Sequence, residues 1–108
     1  MVQNLNIQQF RATFADNESA EYQLVDVREV DEFEAGRIPG AVNIPLSEFQ
    51  SRFTEIENAG KIVLVCAAGG RSAMAADFMA GNGYESDDLY NLVDGTMGWL
   101  MRGLPLEK

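Results

Sequence analysis

Residues 66–72 read Cys66-Ala67-Ala68-Gly69-Gly70-Arg71-Ser72. A thiol ends an apolar run, small residues follow, then an arginine, then the expected start of a helix. Alanines and glycines let the backbone curl tightly, so that successive N–H groups point inward. A helix starting near Ser72 aims its positive dipole end at the same spot. Arg71 adds a cation. All three favour negative charge at the centre of the loop. A thiolate would be stabilised there, and the thiolate is the reactive form of cysteine. A lone cysteine in an apolar strand commonly serves as a small core side chain; the loop and arginine behind this one set it apart.

The rest of the composition narrows the chemistry. The chain has 108 residues, one cysteine and no histidine. An intramolecular disulfide is excluded, and so is a zinc site, which needs several Cys or His ligands. Ser-His-Asp triads and Cys-His dyads are excluded too. No metal and no cofactor are expected, and catalysis would rest on carboxylates, arginine, backbone groups or the one thiol. The 8 Lys and Arg against 17 Asp and Glu give a net charge of −9. Nucleic acid is not an expected partner, because its binding rests on cations that neutralise phosphates. An anionic membrane surface would repel the chain. Apolar stretches such as residues 62–68 are far too short to span a bilayer. Residues 1–10 lack a basic segment followed by an apolar run, so no signal peptide is expected. With a single unpaired thiol, this points to the cytoplasm.

The elements that must position the loop follow from periodicity. Ile7, Phe10 and Phe14 stand at helical spacing behind Asn6, a ready N-cap, and predict a first helix. Residues 23–27 predict a strand. Residues 29–35 predict a short helix that buries Val30 and Phe33 and stops at Gly36. A Pro/Gly turn over 37–40 leads to a strand over 41–44. Ser47 with Gln50 reads as a capping box opening a helix whose buried stripe is Phe49, Phe53 and Ile56, ended by Gly60. Residues 62–66 form an unbroken apolar run, the mark of a central parallel strand. A helix over 72–80 pairs Met74 with Phe78 and Ala75 with Met79, and residues 88–93 predict another strand. Met97, Leu100 and Met101 mark a last helix, stopped by Gly103 and Pro105. This alternation predicts an α/β domain with a mainly parallel sheet and helices on both faces. Ligands bind beyond the carboxyl ends of such strands, which is where Cys66 lies.

The loop resembles the active-site loop of the rhodanese family of sulfurtransferases, in which Cys-x4-Arg cradles a persulfide. Leu24-Val25-Asp26-Val27-Arg28-Glu29 is similar to the family's first strand with its Asp-Val-Arg ending. Phe33-Glu34-Ala35-Gly36-Arg37-Ile38-Pro39-Gly40-Ala41-Val42-Asn43-Ile44-Pro45 is similar to its Phe-x3-His-Ile-Pro-Gly-Ala signature. Asn91-Leu92-Val93-Asp94-Gly95 through Gly98-Trp99 resembles its closing Gly-Gly…Trp segment. The resemblance runs from residue 24 to residue 105, in family order. It implies a single rhodanese-like domain over residues 1–108, a three-layer α/β/α fold around a sheet of about five strands. It implies a sulfurtransferase in which Cys66 takes a sulfane sulfur from thiosulfate or a persulfide, as a persulfide, and yields it to a thiophilic acceptor. The N–H groups of Ala67, Ala68, Gly69, Gly70, Arg71 and Ser72 would hold the anion. The implied partners are a small-molecule or protein sulfur donor and a thiol acceptor.

Two other readings stay open at this point. One is a non-catalytic rhodanese-like module that binds or regulates a partner. The other is a phosphatase or arsenate reductase of the same fold. Tyrosine-type phosphatases carry the longer Cys-x5-Arg, with room for a phosphate; the spacing from Cys66 to Arg71 is the shorter one.

The chain departs from the family pattern in three places. Arg37 replaces the signature histidine, a position read as structural. Asp94 replaces the first glycine of the closing pair and is expected to affect local turn geometry only. Ala67, Ala68, Gly69 and Gly70 lack the basic or polar residue that many active members carry in the loop, which leaves Arg71 as its only charge. Weak steering of the thiosulfate dianion is therefore expected. Asp26, at the end of its strand, would lie near the loop, either orienting loop N–H groups or Arg71, or capping its own turn. Arg28 is expected to pair at the surface with Glu29, Asp31, Glu32 or Glu34. Trp99 is expected in the core.

Overall fold

Parallel strands pair in the order β1-β5-β4-β2-β3 to form a single five-stranded sheet. These are β1 (Gln3–Leu5), β2 (Tyr22–Asp26), β3 (Val42–Asn43), β4 (Lys61–Val65) and β5 (Leu89–Leu92). The structure is a computed structural model describing residues 1–108. The apolar run after Lys61 takes the centre of the sheet, as its two-sided hydrophobicity predicts. Ile62, Val63, Leu64 and Val65 are each at most 1% exposed. β4 pairs β2 through Leu24↔Val63 and Asp26↔Val65, and β5 through Leu64↔Asn91.

Helices cover both faces: α1 (Ile7–Phe10), α2 (Val30–Ala35), α3 (Phe49–Arg52), α4 (Gly70–Ala80) and α5 (Gly95–Met101). On one face Val25, Leu64 and Leu89 pack with Phe49 of α3 and with Ala75, Ala76 and Met79 of α4. On the other, Leu24, Val63, Val65 and Leu92 pack with Ile7, Phe10 and Trp99. The expected α/β/α layering is present. Asn6 caps α1 as its type predicts: its Oδ1 accepts from Gln9 N at 2.8 Å, and Gln9 Oε1 accepts from Asn6 N at 2.9 Å. No helix is long and apolar enough to cross a membrane.

Several local expectations are corrected. β1 has no apolar periodicity, since only Leu5 is buried, yet it pairs β5 at the sheet edge. α4 starts at Gly70, not at Ser72. Ser47 forms no capping box. Its Oγ donates to Glu29 Oε1 at 2.6 Å, and α3 follows a 3-10 turn over Leu46–Glu48. α5 buries Thr96 and Trp99, while Met97, Leu100 and Met101 face outward. Trp99 is in the core as expected, its Nε1 donating to Pro105 O at 2.7 Å.

α2 buries none of its residues, and Val30 is 47% exposed. Polar contacts anchor it instead. The Arg28 guanidinium donates to Glu32 O at 3.2 Å and to Gly36 O at 2.7 Å. Phe33 is half-buried beneath the Arg37 guanidinium, 4.5 Å from the ring centre. Arg37 also exchanges backbone hydrogen bonds with Glu107, at 2.9 and 2.8 Å.

Arg28 is not at the surface and pairs with none of the four expected acids. It is 7% exposed and Asp26 is fully buried. Its Nε and Nη2 reach the Asp26 carboxylate at 3.1 and 2.8 Å, and its N–H donates to Asp26 Oδ1 at 3.0 Å. The pair sits where β2 turns into α2, and the carbonyls of Glu32 in α2 and of Gly36, its C-cap, take donors the carboxylate leaves free. Removing one partner would strand a buried charge. Asp26→Ala is therefore expected to lower the unfolding free energy by about 3–5 kcal/mol. Urea unfolding reads this as a shifted midpoint at constant m; a loss below about 1 kcal/mol would contradict the buried pairing.

Candidate active site

β4 delivers Cys66 to the carboxyl end of the sheet, 1% exposed. The chain then turns without regular structure until α4. The turn is shaped by where its carbonyls go. Cys66 O accepts from Thr96 N at 2.8 Å and Ala67 O from Met97 N at 3.0 Å, both in the first turn of α5. Gly69 O accepts from Ala73 N at 3.2 Å. Glycine is required at two contact points. Gly69 has φ +94°, and a Cβ there would lie 2.5 Å from Val93 O. Gly95 has φ +65°, and its Cβ would overlap Ala67 O.

With the carbonyls held outside, N–H groups face the sulfur. Gly69 N donates to Cys66 Sγ at 3.1 Å, and Ser72 Oγ lies 3.3 Å from it. Burial pushes the thiol pKa up. Hydrogen bonding from the N–H groups of Ser72, Ala68 and Gly69 opposes burial, and the pKa falls below the ordinary thiol value. Of the expected donors, Ala68, Gly69 and Ser72 act on the sulfur. Ala67, Gly70 and Arg71 send no backbone hydrogen bond to it. Ala67 contributes its carbonyl to the α5 clamp, and Gly70 opens α4.

Arg71 is not a free cation. Its Nη1 and Nη2 donate to the two Glu32 oxygens at 2.7 and 3.0 Å. The Arg71 hydrogen bonds hold the Glu32 carboxyl at a pKa of about 2, against burial and with help from the Glu29 N–H. Asp26 caps its own turn and binds Arg28; its hydrogen bonds reach neither the loop nor Arg71. A cleft of 210 Å³ opens between α2 and α5 beside Ala67. Its walls are mainly Ala35, Met97, Leu100 and Leu106, with Arg28 and Glu32 as the charged members. Both charges are already matched within the fold. Thr96 Oγ1, in the same wall, is buried without a hydrogen-bond partner.

Sequence reasoning missed three contributors. Glu32 lies 39 residues from Arg71, beyond any periodic signal. Asn91 sits 4% exposed in β5, donating Nδ2 to Gly69 O at 3.2 Å and accepting from Ser72 Oγ at 2.6 Å. A lone polar side chain inside an apolar strand was its available signal. Asp94 reaches past its own turn, its Oδ2 accepting from Ile7 N at 2.9 Å at the start of α1.

The Glu32–Arg71 pair gives a pH signature. The folded pKa lies below the ordinary 4.5, so the stabilisation is complete above pH 4.5 and is lost as pH falls toward 2. Both side chains are 35% exposed, which limits the contribution to about 1 kcal/mol. Glu32→Gln should therefore unfold at lower urea than wild type at neutral pH, and match it near pH 2. A difference that persists undiminished at pH 2 would contradict the pairing.

Comparison with known proteins gives a consistent result. The family model of the Rhodanese-like domain matches residues 8–102. The chain is 34% identical over 98 residues to the putative sulfur carrier protein YrkF of Bacillus subtilis, covering 91% of this chain and 51% of that protein. It thus spans about half the length of that relative. It is 31% identical over 106 residues to a protein named sulfurtransferase from Allochromatium vinosum, covering 98% and 95% of the two chains. The crystal structure of a rhodanese-related protein from Thermoplasma volcanium superposes with a TM-score of 0.83 at 28% identity, covering 97% of each chain. By the extent of these matches, and with a five-stranded sheet that carries Cys66 at its carboxyl end, the chain belongs to the rhodanese-like domain family.

Proposed function

We propose that the chain is a sulfurtransferase that moves a sulfane sulfur through a persulfide on Cys66. The observation that carries this reading is the set of inward N–H groups on the Cys66 sulfur, in a loop of Cys-x4-Arg length. The Cys66 thiolate attacks the outer sulfur of a donor. The new S–S bond to Cys66 forms as the donor's S–S bond breaks, and the donor leaves as a thiolate, or as sulfite from thiosulfate. The bound persulfide anion accepts from the N–H groups of Ala68, Gly69 and Ser72. An acceptor thiolate, or cyanide, then takes the outer sulfur and returns Cys66 to the thiolate. No step needs a redox cofactor or a second cysteine. The loop length disfavours the phosphatase reading, because a phosphate needs more donors than this short loop turns inward.

The charge balance of the site bears on the donor. Arg28 is matched by Asp26 and Arg71 by Glu32, and the adjoining cleft is mainly apolar. Nothing there compensates a dianion on a chain of net charge −9. Relatives named sulfurtransferase and sulfur carrier support the reaction class without naming its substrates here.

Intact-mass measurement tests the reaction. Wild-type protein exposed to an excess of an alkyl persulfide should gain the mass of one sulfur atom, and lose it on addition of cyanide. No gain, or a gain that survives Cys66→Ser, would contradict the proposal. In a thiosulfate:cyanide assay the KM for thiosulfate should exceed about 1 mM, the upper end of the usual enzyme range. A sub-millimolar value would show that the paired arginines still attract the dianion.

A further inference from the structure

Asn91 occupies a place where the pattern of β5 calls for an apolar residue, since Leu89, Tyr90 and Leu92 around it are all buried. A buried amide is costly unless its donors and acceptor are used. Here the bonds fix its orientation. Gly69 O can only accept, so the nitrogen of Asn91 must face it, at 3.2 Å. Oδ1 then faces Ser72 Oγ at 2.6 Å, and Ser72 must be the donor. A serine hydroxyl has a single proton. Its candidate acceptors are Asn91 Oδ1 at 2.6 Å, Cys66 Sγ at 3.3 Å and Gly69 O at 3.3 Å. The short contact takes the proton, and a lone pair of Oγ is left facing the sulfur.

We propose that Asn91 is a positioning residue that holds the Ser72 proton away from Cys66 Sγ, so that the Ser72 hydroxyl accepts from the thiol and must turn before it can donate to a sulfur anion. Turning strips Asn91 Oδ1 of its donor and sets two oxygens lone pair to lone pair at close range. Not turning leaves a lone pair against the thiolate. Either way Asn91 opposes the backbone N–H groups, and the thiol stays less acidic than the loop alone would make it. The consequence is chemical. A thiolate stabilised too far is a weak nucleophile, and the best attacking thiol has a pKa near ambient pH. Asn91 thus sets how much of the loop's stabilisation falls on the resting sulfur.

This inference deepens the reading of Cys66 as the sulfur-accepting nucleophile and rests on it. Its test reads the thiol alone, so it stands or falls separately from sulfur transfer. The charged groups around the loop are Arg71 with Glu32, from α4 and α2; Asp26 with Arg28, at the end of β2; and Asp94, turned to α1. All are retained in the variants.

Cys66 is titrated by the ultraviolet absorbance of its thiolate in wild type, Asn91→Leu, Ser72→Ala and the double variant. Asn91→Leu should lower the Cys66 pKa by about 1 pH unit, the effect of one hydrogen bond freed to a charged acceptor. Ser72→Ala alone should change it little. In the Asn91→Leu background, Ser72→Ala should reverse the drop. A purely structural role for Asn91 has the opposite sign. Losing the bond to Gly69 O would slacken the loop, weaken its N–H contacts and raise the pKa. An unchanged or raised value in folded Asn91→Leu, or a drop that survives Ser72→Ala, overturns the proposal. Should Asn91→Leu fail to fold, Asn91→Val, a better strand former, supplies the same comparison.

Discussion

The carbonyls of Cys66 and Ala67 are clamped by Thr96 N and Met97 N, the free donors at the start of α5. The site depends on that clamp. A peptide whose C=O is held on one side presents its N–H on the other, so the clamp on the Ala67 carbonyl turns the Ala68 N–H inward, beside the Gly69 N–H that donates to the sulfur. The clamp in turn requires α5 to approach the loop backbone directly. Gly95 leaves no room for a Cβ between helix and loop, and Gly69 leaves none against Val93. Asp94 ties the same corner to the start of α1 through Ile7 N. Layers distant in sequence thus converge on one short turn, and the thiol is activated by backbone geometry with no imidazole in the chain.

The arginines serve the same turn indirectly. Arg28 cross-links the end of β2 to carbonyls of α2 and its C-cap, and Glu32 on α2 then holds Arg71 of α4. Each guanidinium is matched by a carboxylate before any ligand arrives. The field acting on the sulfur is therefore built chiefly from the dipoles of peptide N–H groups, with the charges balanced in pairs around it. That arrangement suits a single sulfur atom, which needs a few short-range donors more than a bulk positive potential.

Much of this was legible in the residues. An apolar run too uniform for a surface strand placed β4 at the centre, and the loop behind it marked the site. Asn6 announced the start of α1. What stayed hidden has physical reasons. β1 is held by pairing with β5 and buries only Leu5, so it leaves no hydrophobic pattern. In α5 the outward side chains Met97, Leu100 and Met101 have helical spacing, so periodicity found the helix without reporting which face it buries. α2 is anchored by guanidinium–carbonyl bonds, which side-chain hydrophobicity does not report. The Arg71–Glu32 and Ser72–Asn91 contacts join residues 39 and 19 positions apart, and only the folded sheet brings them together.

The central claim is that backbone donors make Cys66 an activated thiol without a histidine. The most direct measurement is the pH dependence of its alkylation by iodoacetamide in the wild-type protein, with the single cysteine as the only reporter. The expected result is a rate that reaches its plateau with an apparent pKa below about 8.5, the value of a free cysteine. A midpoint at or above that value would mean that burial, not the loop, governs the sulfur, and would contradict the claim.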